Sequence, residues 1–292
     1  MRSSSQRLPI GRQILLQAIM LFITFIVLFP IMWIVSLSLD PRGIARPTEL
    51  TLIPPGASLD AYRSVLDHPT ANPVSFFQLA VNSLRLTFGV SFFSLLVAIT
   101  AAYAFSRKKF YGRKFLMLLI ITVLMLPAIA TIAPLFVTLN SVRIGDFNLR
   151  NSLWGVGLAM LAGALPFAIW NLKGYLDTIP KDLEEAAIID GASPNRVFFH
   201  IILPLAVPAL AVTFFIGFLA GWTEFALSWQ FLTNPEDFTL AMALWNMTGQ
   251  YAGSVPWSHF AAMSILISLP VAIIYLSLQK YIVSGLTIGG VK

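Results

Sequence analysis

Apolar residues in this chain run together in six long blocks, separated by segments rich in polar and turn-forming residues. A helix needs about 20 predominantly apolar residues to cross the hydrocarbon core of a bilayer, so blocks of this length predict spans. They run from Ile14 to Leu39, Leu79 to Phe105, Phe115 to Leu139, Leu153 to Leu172, Leu205 to Leu232 and Phe260 to Val283. The first is too long for the apolar part of a secretory signal and no small-residue cleavage site follows it, so it is expected to remain as a span. The pattern predicts an all-α integral membrane protein with six transmembrane helices. Residues 1–39 form the N-terminus and first span, 40–78 a long loop, 79–283 the five-helix core and 284–292 a tail.

Within the core, the connection at 173–204 is the least apolar stretch and has its own helical punctuation. Pro180 presets φ for a helix start. Leu183, Ala186 and Ala187 share one face of the helix that follows. Asp182, Glu184 and Glu185 stand in its early turns, where carboxylates favour the positive helix end. Gly191 fits the left-handed position that closes a helix, and Ser193-Pro194 reads as an N-cap followed by a first-position proline. Val197, Phe198, Ile201 and Ile202 then recur at one-and-four spacing, which makes an apolar stripe. The loop is expected to be helix, glycine turn and helix, with the stripe free for a partner's groove or for the headgroup layer.

Charge orients this arrangement. Of 19 Lys and Arg residues, 13 fall on the side of the N-terminus and the 173–204 loop, five of them in Arg107–Lys114 (RKKFYGRK). The positive-inside rule then places both termini in the cytoplasm, with 40–78 and the loop 233–258 outside. Composition agrees with a lipid solvent: 57 % of the 292 residues are hydrophobic and 11 % charged, too few charges to cover a soluble domain of this size. The net charge of +6 belongs to topology rather than to nucleic-acid binding.

Catalytic chemistry has little to work with. There is no cysteine, and His68, His200 and His259 are far apart without ligand spacing, so neither a catalytic residue nor a metal site is assigned. A phosphate-cradling loop needs Gly-x4-Gly-Lys-Ser/Thr, and Gly-Lys does not occur. Glu224 is the one acid inside an apolar block. A carboxylate there is costly unless it meets a cavity, a partner or a polar interface, so it is a candidate cavity or gate residue.

Glu185-Ala186-Ala187, three residues, Gly191, nine residues, Ile201, one residue, then Leu203-Pro204 resembles the EAA signature of ABC importer permeases at every specified position. The wider chain is similar to the second permease of maltose-type sugar importers. The likeness runs through Asn82-Ser83, the run Ala102 to Arg107, the approach LKGYLDTIPKDLEEAAIIDGAS and the end Gly289-Gly290-Val291-Lys292. The resemblance implies the type I importer fold, with 173–204 as the coupling-helix loop that docks on a partner ATPase. Its docking residues would be Glu184, Glu185, Ala186, Ala187, Asp190, Gly191, Phe198, Ile201, Leu203 and Pro204. It also implies tail contact with the ATPases through Gly289, Gly290, Val291 and Lys292. Asn246, Thr248, Gly249, Gln250 and Tyr251 would contact an external sugar-binding protein. The implied assembly adds a second permease and two ATPase subunits, which hold the ATP and magnesium; this chain itself carries no cofactor. The expected location is the bacterial inner membrane. Permeases for other glycosides or for glycerol phosphate share these features. A transporter driven by an ion gradient is the rival class.

Overall fold

The computed structural model describes residues 9–44, 52–248 and 256–289, with 283–289 described by backbone alone. Among the described residues, four helices are by themselves long and apolar enough to cross a membrane: α1 (Ile10–Ser38), α3 (Phe76–Arg107), α6 (Leu153–Leu176) and α13 (Trp257–Gly289). Short α2 (Asp60–Asp67) packs against α13 and α3. Local caps set several boundaries. The Ser75 hydroxyl accepts the Gln78 N–H at the start of α3, and the Ser152 hydroxyl accepts the Gly155 N–H at the start of α6. Each satisfies a donor that the first helical turn leaves unpaired.

Two of the expected spans are broken, which corrects the continuous blocks read from the sequence. The third becomes α4 (Arg113–Val123) and α5 (Ala128–Ser141), bent by 99°. Pro127 stands between them; it has no N–H to continue the helix and pushes the preceding residue out of helical conformation. A two-stranded hairpin, β1 (Arg143–Ile144) with β2 (Phe147–Asn148), follows α5.

In place of the fifth block, which was expected to reach Leu232, the longest helix is α10 (Val207–Trp222), which is long and apolar enough to cross a membrane only together with the segment before it. It bends by 70° from the segment Pro194–Leu205 before it, where Pro208 cannot donate to the carbonyl of Pro204. After Trp222 the chain re-starts as α11 (Ala226–Phe231). The described part of the loop 233–258 contains a 3-10 turn, Pro235–Asp237, and helix α12 (Leu240–Thr248).

Helix α3 is central, packing on α6 and α10, while α13 packs on α10 and α1. Along the α3–α10 seam, Thr87 and Ser91 face Gly217 and Gly221, small residues that let two backbones approach closely, as membrane helices do. The apolar side chains of α1 are largely exposed, as a surface facing lipid would be.

Closest of all is Gly155 in α6. A Cβ there would lie 2.0 Å from the Leu149 carbonyl oxygen, which already accepts the Ser152 hydroxyl at 2.7 Å. Gly155→Ala is therefore expected to cost on the order of 1–3 kcal/mol, as overpacking does, and to lower the melting temperature in detergent. Gly163→Ala in the same helix meets no atom within 4 Å and should melt like the unaltered protein. Equal melting of the two variants would contradict the assignment.

Candidate functional site

The 173–204 loop leaves the end of α6 and returns to the start of α10. It forms α7 (Asp182–Ile189), α8 (Pro194–Val197), a π-helical stretch Phe198–Ile202 and α9 (Leu203–Leu205). The turn between α7 and α8 is specific. Gly191 sits at φ +83°, a left-handed conformation that L side chains resist. Its N–H donates to the Ile188 carbonyl at 3.0 Å, and the Ala192 N–H donates to the Ala187 carbonyl at 2.9 Å. These two bonds are the Schellman closure of a helix. The Ser193 hydroxyl then accepts the Arg196 N–H, with Pro194 in the first turn of α8.

A polar network ties this unit to the spans. Arg107, the last residue of α3, forms an ion pair with Glu184 in the first turn of α7, and both side chains are largely buried. The Arg107 Nη2 also donates to the Ile179 carbonyl at 2.9 Å, and the Tyr103 hydroxyl donates to Glu184 Oε2 at 3.2 Å. Arg107 Nη1 donates to the Ser106 hydroxyl at 3.0 Å, and that hydroxyl donates to Asp177 Oδ1 at 2.6 Å. Lys173 closes the chain on Asp177. Burial pushes the Asp177 carboxyl up, but its hydrogen bonds from Lys173 and Ser106 outweigh this and hold it below the ordinary carboxylate value.

Beneath the network lies an apolar core shared by α3, α6 and the loop, with Ala102, Phe105, Leu172, Leu176, Ile179, Val197 and Ile202 buried. Phe198 lies against Tyr103, ring centroids 4.9 Å apart.

This geometry corrects two expectations. Glu184 does not belong to a docking face: at 8 % exposure its carboxylate serves the anchor. The stripe Val197, Phe198, Ile201 and Ile202 is likewise turned into this chain, with Val197 and Ile202 buried and Phe198 and Ile201 half-buried, because the spans already cover it. Ala187 and Leu203 are half-buried against the same core. The exposed residues of the loop include Leu183, Glu185, Ala186, Ile188, Ile189, Asp190, Gly191, Phe199 and Pro204. Ile189 is 85 % exposed. Apolar side chains this open, rimmed by carboxylates, mark a contact surface, for another protein or for the membrane.

Sequence reading missed the anchor. Its signal was present, an arginine on the final turn of a span and paired acids opening the next polar loop, but nothing in the sequence matches the one to the other.

At the opposite end, Glu224, the candidate cavity or gate residue, lies in the break between α10 and α11. Its carboxylate accepts the N–H groups of Leu227 and Ser228 and the Ser228 hydroxyl, and so caps α11, where a negative group suits the helix start. Asn82 Nδ2 donates to the carbonyls of Glu236 and Phe238 at 2.6 and 3.0 Å, and the Ser83 hydroxyl accepts the Leu240 N–H at 2.8 Å. The start of α3 thereby holds the 3-10 turn and α12 in place. Asn246 and Thr248 are on α12 instead of a flexible loop. Gly249, Gln250 and Tyr251 lie outside the described residues, as do Gly290, Val291 and Lys292; Gly289 is described by backbone alone. A groove of about 300 Å³ between α10, α12 and α13 is lined by Trp222, Phe225, Leu244, Trp245 and Phe260.

Residues 68–288 match the family model described as "Binding-protein-dependent transport system inner membrane component". The chain is 37 % identical to the galactooligosaccharides transport system permease protein of Bacillus subtilis (strain 168), covering 93 % of this chain and 92 % of that protein. It is 33 % identical to the maltose/maltodextrin transport system permease protein of Escherichia coli (strain K12), covering 100 % and 98 %. It is also 33 % identical to the trehalose/maltose transport system permease protein of Thermococcus litoralis, covering 96 % and 97 %. Among solved structures, a bacterial ABC transporter that imports the acidic polysaccharide alginate superposes with a TM-score of 0.74 at 23 % identity, covering 95 % of this chain and 100 % of that chain.

Proposed function

We propose, since the chain belongs to the family of binding-protein-dependent transport system inner membrane components, that it admits a sugar and is driven by ATP hydrolysed in partner subunits. It has the type I permease fold of that class. The sugar reading is supported by relatives named for maltodextrin, trehalose/maltose and galactooligosaccharide transport; an oligosaccharide of this kind is the substrate class. The assembly comprises this chain, a second permease, two ATPase subunits that bind ATP and magnesium, and an external binding protein. Both termini lie in the cytoplasm, following the excess of basic residues at that end. Gly289, Gly290, Val291 and Lys292 contact the ATPases, and Asn246, Thr248, Gly249, Gln250 and Tyr251 contact the binding protein.

One observation carries the reading: three exposed apolar side chains, Leu183, Ile188 and Ile189, on a helix clamped to the ends of two spans. In this mechanism ATP-driven closure of the ATPases pushes on α7. The buried Arg107–Glu184 pair and the core under Phe198 pass the displacement to α3 and α6. Because α3 packs on both α6 and α10, the spans rock together and open the path to each side in turn. Helix α7 does no chemistry; it must only be stiff and well held.

Proteoliposomes containing the four membrane-associated subunits test this. Uptake of labelled maltodextrin or galactooligosaccharide should require ATP on the ATPase side and binding protein on the other. Uptake driven by an ion gradient by this chain without any ATPase subunit would overturn it.

A further inference from the structure

The turn joining α3 to α4 carries basic groups that help to orient the chain but that the coupling reading does not use. Lys108, Lys109, Arg113 and Lys114 fall within seven residues. The three lysines are exposed and Arg113 is half-buried. Among the described residues none of the four has an acidic partner; of the basic run, only Arg107 is turned inward, to Glu184. Four like charges held this close repel one another, and the repulsion is relieved by an anion.

Aromatic rings are interleaved with the cations. Tyr111 is fully exposed at 103 % and Phe115 is 67 % exposed, while Phe110 leans on Phe105 with ring centroids 5.5 Å apart. Immediately beyond, α4 presents exposed Leu118 and Leu119 and belongs to a bent helix pair long and apolar enough to cross a membrane. Within about one helical turn the surface passes from cationic, through aromatic, to apolar. That sequence of surfaces is the profile of a membrane boundary, where Tyr and other aromatic rings lie at headgroup level and basic clusters meet anionic lipid. A ligand that matches all three layers has a negative head and an apolar tail; a protein surface or a free anion matches only one or two.

We propose that residues 108–115 form a binding site for an anionic phospholipid. The phosphate lies among Lys108, Lys109, Arg113 and Lys114, Tyr111 and Phe115 sit at the level of the glycerol, and the acyl chains run along α4. The site adjoins Arg107, so the bound lipid braces the end of α3 where the coupling loop is anchored. The assignment stands apart from the sugar reading and survives if that reading fails.

The test uses the full-length protein in phosphatidylcholine nanodiscs doped with a photoreactive phosphatidylglycerol. Cross-links should concentrate on the 108–115 peptide of the unaltered protein and diminish as salt screens the charges. Cross-links spread evenly over the exposed apolar helices would overturn the site. Each basic side chain at an anionic surface strengthens binding about fivefold, so the combined Lys108→Gln, Lys109→Gln, Arg113→Gln and Lys114→Gln variant should retain phosphatidylglycerol roughly 600-fold more weakly by native mass spectrometry. Unchanged retention would overturn it. So would displacement of the lipid by excess glycerol phosphate, which would show a small-anion site. Protection of the same lysines by ATPase subunits in lipid-free detergent would overturn it in favour of a protein contact. The salt dependence of the unaltered protein keeps the test valid if the fourfold variant inserts poorly.

Discussion

Gly191→Val is expected to abolish binding-protein-stimulated ATP hydrolysis while leaving membrane insertion intact. The cause is conformational: a Cβ at this position meets no atom within 4 Å, but φ is +83°. Holding an ordinary side chain left-handed costs roughly 1–2 kcal/mol, and a branched one more. The loop escapes by abandoning the two hydrogen bonds from Gly191 and Ala192 that close α7, and the placement of exposed Leu183, Ile188 and Ile189 is lost with them. Each 1.36 kcal/mol of misdirection slows the coupled step about tenfold, so stimulation should fall by at least roughly that factor. Gly191→Asn, which tolerates the left-handed region, should keep much of the activity, with Gly191→Ala between the two. Full stimulation in the valine variant would count heavily against the coupling role.

The second large effect is expected at the buried ion pair. Glu184→Ala leaves the Arg107 guanidinium in a site of low exposure without its carboxylate, and breaking such a pair by removing one partner costs roughly 3–5 kcal/mol. Detergent melting should fall sharply, and transport with it. The control is the double replacement Arg107→Met with Glu184→Leu. Removing both charges should restore much of the thermal stability, since a buried pair replaced by apolar groups is often neutral. If the pair also transmits force, the double variant will melt normally yet hydrolyse ATP with weak coupling to uptake. Normal melting with normal coupling would reduce the pair to a packing element. Asp177, in the same network, is held below its ordinary value of 3.8. Its contribution is present above that value and lost as pH falls below it, so melting measured around neutrality should not shift through this group.

The helices and the loop's internal form are legible along the chain because their causes are local. Six apolar blocks announce membrane helices, since any long uncharged stretch must satisfy its backbone internally once it leaves water. Ser193-Pro194 and Gly191 announce the turn between α7 and α8, because capping depends on residues a few positions apart. The breaks were half visible: Pro127 and Pro208 stand in the sequence, but proline in a span is compatible with a gentle kink, and nothing local set bends of 99° and 70°.

Tertiary structure alone decided which surface of the loop is presented. Glu184 and Glu185 are neighbours with the same chemistry, and adjacent helical positions point about 100° apart. Which of them turns inward depends on Arg107, 77 residues earlier in the chain, and on how the end of α3 lies against the start of α7. Phe198 and Ile202 were equally ambiguous, since an apolar stripe records only that something covers it. In this fold the cover is Tyr103 and the shared core, and the apolar side chains left open are others, Leu183, Ile188 and Ile189 on α7 and Phe199 beside the stripe. Local interactions set the element, and long-range packing chose its orientation, because a side chain's partner is fixed by where distant segments meet and not by their spacing along the chain.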